Sequence, residues 1–205
     1  VRWQAFDITK AMHRQHQGHG SAVVWLTGLS GAGKSTIANL LASALHSQGM
    51  HTCVLDGDNL RHGLNSDLGF SLADRAENIR RVAEVAKLMV DVGTVVIVVL
   101  VSPLRQERAL ARAVMGPDEF VEVFVDTPLA VAEARDPKGL YRRARRGELP
   151  QFTGIDSPYE VPASPDVRVQ TVACEPAQAV GVILQALSAR LRAQLGDVPG
   201  DGGAG

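Results

Sequence analysis

The chain is poor in cysteine, poor in aromatic residues and nearly neutral. Cys53 and Cys174 are the two cysteines of 205 residues. They are too few for a disulfide framework and lack metal-ligand spacing, so they read as reduced core thiols of a cytoplasmic protein. Aromatic residues make up 4% and the net charge is −1. That balance provides no global field for nucleic acid or an anionic membrane, and few rings on which bases would stack. The longest apolar run, Val95–Val101, is too short to span a bilayer and suits a buried parallel strand. No signal-peptide pattern opens the chain. It begins with Val1 instead of Met. That fits a domain cut from a longer polypeptide, and fits a processed or trimmed chain equally. The 45% hydrophobic content supports a sizeable core in one domain of ordinary size.

Against these absences stands one strong motif, Gly28-Leu-Ser-Gly-Ala-Gly33-Lys34-Ser35-Thr36. It follows apolar Ala22–Thr27 and leads into helix-like Ile37–Leu45. A strand, a glycine-rich turn and a helix with this spacing make a phosphate-binding loop, or P-loop. Backbone N–H groups from Gly28 through Ser30, Gly31, Ala32 and Gly33 to Thr36 close around a polyphosphate at a helix N-terminus. Lys34 reaches the β- and γ-phosphates, and the Ser35 hydroxyl ligates Mg²⁺. Further strands are predicted at 51–55, 94–101, 120–125 and 167–171. Helices are predicted from a cap at Asp74 to about Val92, with Glu77 at the capping-box position, at 104–114 and at 176–195. Residues 1–20 read as a polar, irregular lead-in. Its His13, His16 and His19 have no carboxylate or thiol beside them to complete a metal site. The tail 196–205 has a disordered composition. The main unit, 21–195, is therefore an α/β P-loop domain: about five parallel strands with helices on both faces, and ligands at the carboxyl ends of the strands.

Three regions qualify the chemistry. Asp56-Gly-Asp58-Asn59 follows the second strand. A carboxylate there holds Mg²⁺ through water or accepts the proton of an attacking hydroxyl, and the same run suits an Asx turn; of the two, Asp58 is favoured for catalysis. Arg61, Phe70, Arg75 and Asn78 suggest a pocket for a flat, anionic acceptor, with Arg75 and Asn78 sharing a helix face. Arg80 and Arg81 read equally as pocket or as surface. Residues 135–160 are basic, punctuated by glycine and poorly periodic, and six of the twelve residues 135–146 are Arg or Lys. In a chain with a P-loop, this segment reads as a mobile lid that keeps water from ATP. Phe152 offers a second stacking ring. A GTPase-like switch would need N-K-x-D after a strand, and the sequence has none. A different small-molecule kinase would share the loop, Asp58 and lid but not the acceptor pocket.

Taken together, Gly28-LSGAGKST, Asp56-GDNLRHGLNSDLGFS, Asp74-RAENIRRVAEVAKLM, Val101-SP, Phe124-VDTPL, Arg135-DPKGLY and Phe152-TGIDSPYE-VP resemble the adenylylsulfate kinase (APS kinase) family. The resemblance runs from about Trp3 to the last helix. It implies transfer from MgATP to adenosine 5′-phosphosulfate (APS), giving ADP and 3′-phosphoadenosine 5′-phosphosulfate (PAPS). Position by position, it assigns APS binding to Arg61, Phe70, Arg75, Asn78, Val101, Ser102, Leu140 and Phe152. It makes Lys138 the lid lysine and Asp58 the acidic residue of the DGDN run. Lys34, Asp58 and Lys138 are then the catalytic set, and Ser35 with Asp58 the Mg²⁺ set. Arg135 and the Cys174–Pro176 segment are candidates for the ATP adenine pocket. Two positions depart from the family: Val101, where Ile is commoner, and Ala132, where many members have Cys. The resemblance also implies a homodimer, and fusion to or association with an ATP sulfurylase or its GTPase subunit.

Overall fold

The computed structural model describes residues 2 and 4–195. Val1, Trp3 and the expected tail 196–205 lie outside the described residues. Five strands form one parallel sheet: β1 (Val23–Thr27), β2 (Thr52–Asp56), β3 (Val95–Val99), β4 (Phe120–Asp126) and β5 (Val167–Gln170), in the order β2-β3-β1-β4-β5. Val24 of central β1 pairs with Ile97 on one side and Val121 on the other.

β1 is buried along its whole length, and its side chains feed two cores in alternation. Ala22, Val24 and Leu26 join Ile37, Leu41 and Leu45 of α2 (Lys34–Ser47) and Ile183, Leu187 and Leu191 of α8 (Pro176–Leu195). Val23 and Trp25 join Ile79, Val82, Ala86 and Val90 of α4 (Leu72–Asp91) and Ala111 of α5 (Arg105–Ala113). Parallel strands buried on both faces account for the unbroken valine runs.

Three sequence expectations are corrected. The 1–20 lead-in is not irregular throughout: α1 (Lys10–Gln17) is capped by Thr9 and stopped by Gly18 in the left-handed conformation. None of its residues is buried. Lys10 and Arg14 instead grip the buried Glu119 at 2.8 and 2.5 Å, so α1 left no apolar period to read. Asp74 is not the cap of α4. Ser71 is, its hydroxyl accepting from Asp74 N at 3.1 Å and donating to Asp74 Oδ2 at 2.8 Å. Glu77 accepts from Arg80 at 2.7 Å and Arg81 at 2.9 Å instead of closing a capping box, and these bonds pull its carboxyl down to about 2. Finally, the 135–160 segment follows α6 (Leu129–Arg135) and contains a short helix, α7 (Leu140–Arg145), which seats Tyr141 and Ala144.

Candidate active site

β1, β2 and β3 all deliver their carboxyl ends to one edge of the sheet. There the loop 28–36 turns into α2. Gly28 has φ +153°, and a Cβ on it would meet Val125 O at 2.6 Å; on Gly31 it would meet Ala132 O at 2.8 Å. The loop therefore lies against β4 and α6 too closely for side chains at those two positions. Gly33 precedes α2 with φ +102°, and no side chain caps the helix, so its first N–H groups remain for an anion.

Lys34 is buried, and its Nζ donates to Gly28 O at 2.9 Å and Leu29 O at 2.7 Å. Burial, with Lys138 nearby, lowers its pKa to about 8 against the pull of Asp56 and Asp58. A buried ammonium held by two carbonyls and lacking a carboxylate contact is built to receive a phosphate.

The Ser35 hydroxyl donates to Asp56 Oδ2 at 3.1 Å. Asp56 Oδ1 accepts from Asp58 N at 2.9 Å and caps the short helix α3 (Gly57–Leu60). Asp56 therefore makes the expected Asx turn while also lying beside the P-loop serine. The expected Mg²⁺ set paired Ser35 with Asp58; the acid that bonds the Ser35 hydroxyl directly is Asp56. Asp58 is exposed, and its carboxylate pairs with Lys138. The two acidic residues are separated by one glycine but face different partners. A hydroxyl and a carboxylate oxygen fit the hard oxygen chemistry of Mg²⁺, which takes most of its remaining ligands from water and phosphate.

The residues expected to bind the acceptor gather beyond α3. The Arg61 guanidinium lies 4.3 Å from the Phe70 ring centre and donates to Leu68 O and Gly69 O at 3.0 and 2.9 Å. Phe70 is 63% exposed and not a core side chain, with Arg61 over its ring. Arg75 donates to Phe70 O and Thr153 Oγ1, both at 3.0 Å, and to Gln151 O at 2.5 Å. It thereby joins the start of α4 to the segment carrying Phe152, whose ring meets Tyr141 edge-on at 5.1 Å. Asn78 is buried and accepts from Asn65 Nδ2 at 3.0 Å. Arg80 and Arg81 are occupied with Glu77, and Arg81 also with Asp67 at 2.7 Å, which settles them as surface ion pairs.

At the end of β3, Val101 O accepts from Thr27 Oγ1 at 2.8 Å, and Ser102 O from Arg108 at 2.6 Å. Ser102 has φ +39°, and its Oγ accepts from the Trp25 indole at 3.1 Å. No base among the described residues takes its proton, so the hydroxyl is a structural acceptor and not a nucleophile. Leu140, the first residue of α7, is half-buried. Arg135 is on the opposite side of the P-loop, 3.4 Å from Ala32 O and 3.3 Å from Thr171 Oγ1.

Several residues at the site were missed. Tyr141 OH donates to Ser30 O at 2.9 Å, tying α7 to the P-loop, and burial pushes its phenol up to about 12. Arg108 is buried, paired with Glu122 at 2.8 Å, and donates to Glu160 O as well as Ser102 O. A cavity of about 620 Å³ adjoins Leu29, Phe124, Leu129, Ile155 and Tyr159, and no residue predicted for the site lines it. Arg108 is one of three arginines of α5, and nothing in the sequence set it apart from the other two.

A P-loop with its lysine, a serine–aspartate pair and a separate arginine-lined acceptor face define a P-loop phosphotransferase. The adenylylsulphate kinase family model matches residues 20–170. An adenylyl-sulfate kinase of Klebsiella pneumoniae is 59% identical over 82% of this chain and 84% of its own length. A structure of the Mycobacterium tuberculosis APS kinase CysC in complex with AMPPNP and APS superposes with a TM-score of 0.78 at 51% identity, covering 82% of this chain and 98% of that one. The bifunctional enzyme NodQ of Rhizobium tropici is 55% identical over 93% of this chain, which spans only 30% of that protein. The chain belongs to the adenylylsulphate kinase family.

Proposed function

We propose that this chain transfers the γ-phosphoryl group of ATP to the 3′-hydroxyl of APS, giving ADP and PAPS. The observation that carries this is the convergence of the P-loop and the Arg61–Phe70–Arg75–Asn78 face at one edge of the sheet. Similarity to a kinase solved with both an ATP analogue and APS supports it. Lys34 exchanges its loop carbonyls for phosphate oxygens and stabilises the charge of the transferring group. Ser35 and Asp56 hold Mg²⁺, which neutralises phosphate charge when bound. Asp58, at the mouth of α3, accepts the proton of the attacking hydroxyl. Lys138 balances that carboxylate until substrate arrives and then turns to the phosphate. Phe70 and Phe152 stack on the APS adenine; Arg61 and Arg75 meet its anionic end, with the backbone at Val101 and Ser102 and the Leu140 side chain completing the wall. Arg135 and the segment leading to Cys174 border the ATP base. Residues 135–160 act as the lid.

No described helix is long and apolar enough to cross a membrane. We assign the reaction to the cytoplasm, in keeping with two free cysteines. A homodimer, and linkage to a sulfurylase or GTPase subunit as in the bifunctional relatives, belong to the same reading. The decisive experiment is incubation with APS and MgATP. Stoichiometric PAPS and ADP are expected. ATP hydrolysis without PAPS, or far faster transfer to a sugar or another nucleotide, would overturn the assignment.

A further inference from the structure

Asn65 is wholly buried on the turn after α3, and its backbone N–H is satisfied by Leu60 O at 2.9 Å. Its side-chain Nδ2 donates to Asn78 Oδ1 at 3.0 Å, while its own Oδ1 is sealed from solvent with no partner. Asn78 is the only polar side chain Asn65 bonds among the described residues. The Asn78 amide nitrogen has no protein partner there, and it is absent from the sealed, unsatisfied atoms that include Asn65 Oδ1.

We infer that Asn65 is a positioning residue that fixes the hydrogen-bonding polarity of Asn78, so that Asn78 meets the acceptor nucleotide as a donor. This rests on the reading of Asn78 as an APS-binding residue. The two amides can pair in only two ways. In the observed one, Asn65 donates, Asn78 accepts, and the Asn78 NH₂ is left for a ligand acceptor such as a ring nitrogen or a hydroxyl oxygen. Turning both amides over would make Asn78 donate to Asn65 and offer its carbonyl to the ligand. Both states leave one Asn65 N–H without a partner, but the turned-over state strands its second N–H in the sealed site where the observed state strands the carbonyl. Orphaned buried N–H groups are rarer and costlier than under-satisfied carbonyls, so the cheaper orphan selects the donor-outward state. The unsatisfied Asn65 oxygen is the residue of that choice, and specificity follows from it: a site built to donate rejects an analogue that offers only a donor.

Substitutions at Asn65 separate polarity from mere packing. Asn65→Asp in its ionised form, reached by assaying at alkaline pH, can only accept, so it draws the Asn78 NH₂ inward and turns the carbonyl to the ligand. Asn65→Leu fills similar space and leaves both Asn78 orientations open, which halves the competent population and costs about twofold. At saturating ATP, the KM for APS should rise on the order of tenfold in Asn65→Asp and about twofold in Asn65→Leu. The KM for ATP should stay within about twofold of wild type in both, since Asn78 bonds Asn65 and no residue of the P-loop. In an Asn78→Ala background, Asn65→Asp should raise the KM for APS no further. Equal losses in the two variants, losses shared with ATP, or full additivity with Asn78→Ala would overturn the inference.

The side-chain amide spectrum of ¹⁵N-labelled wild-type protein decides the matter even if Asn65→Asp fails to fold. The Asn65 NH₂ should be protected from exchange with and without APS, and the Asn78 NH₂ should gain protection only when APS is added. An Asn78 NH₂ already protected without APS means the opposite polarity and sinks the idea. Failure of the kinase reading itself would show separately, as absence of PAPS formation by the wild-type enzyme.

Discussion

At the scale of single residues, the site is a set of charges held by partners that substrate must replace. Lys34 shows this most directly, because among the described residues its ammonium bonds only the Gly28 and Leu29 carbonyls. Removing it takes away a preorganised charge but no packing of consequence. Lys34→Ala should therefore lower kcat on the order of 10² or more with little change in the melting temperature, as read by initial rates and thermal denaturation. Asp56 and Asp58 separate by the same logic. Asp56 touches Ser35, whereas Asp58 touches Lys138. Asp56→Asn should shift the Mg²⁺ dependence of the rate to higher concentration and respond to Mn²⁺. Asp58→Asn should depress single-turnover transfer on the order of 10² at every metal concentration, because the carboxylate that draws the hydroxyl proton is gone. A metal-rescued Asp58→Asn alongside a metal-insensitive Asp56→Asn would reverse the two roles. The residue scale is also where sequence misled: D-G-D-N presents two acids at the same strand end, and only the direction of each side chain tells which one reaches the loop serine.

At the scale of elements, the parts that were legible in the sequence are those that bury an apolar stripe. β1, β3 and β4 were visible as valine runs, and α4 and α8 as helical periods, because the sheet buries them on one face or two. Besides the short α3 and α6, the elements that were missed are held by polar bonds. α1 buries nothing and rests on Glu119, and α7 is short, basic and anchored by Tyr141 and by Asp136, which accepts from the N–H groups of Tyr141 and Arg142 at 3.1 Å. Such helices have no apolar signature. α1 makes a test. Burial alone would raise the Glu119 pKa, but hydrogen bonds from Lys10, the Gly116 N–H and Arg14 outweigh it and hold the carboxyl below its ordinary value. A depressed folded-state pKa stabilises above the unfolded value of about 4.3 and loses that contribution as pH falls through the folded value. The amides of α1 should therefore lose exchange protection below about pH 4, ahead of the sheet. Glu119→Gln should produce the same loss at neutral pH. Unchanged protection of α1 in that variant would show that the ion pairs to Glu119 do not hold the helix, leaving Lys10–Asp91 at 2.6 Å.

At the scale of the whole molecule, the sheet divides the site into two sides that meet at the end of β1. On the function proposed above, the P-loop, α6, α7 and the Thr171 segment would surround the donor nucleotide, and the turn after α3, the start of α4, the end of β3 and the 151–160 segment would surround the acceptor. The segment 135–160 belongs to both sides: Tyr141 bonds Ser30 of the P-loop, while Thr153 and Gln151 bond Arg75 of the acceptor face. Each ligand alone should therefore order only its own end of this segment, and hydrogen exchange across 135–160 should slow fully only with ADP and APS together. The same division makes the acceptor face separable by mutation. Arg75 and Asn78 share one face of α4 and neither bonds the P-loop. Arg75→Ala loses a charge for the phosphosulfate and Asn78→Ala a donor for the nucleoside, each on the order of 1.5–3 kcal/mol where the lost partner is charged and less where it is neutral. Calorimetric titration should show APS affinity falling on the order of tenfold or more in Arg75→Ala, and less in Asn78→Ala, with ATP affinity within about twofold of wild type in both. Equal losses for the two nucleotides would mean that the face of α4 serves the donor as well, and that the two sides are not separate sites.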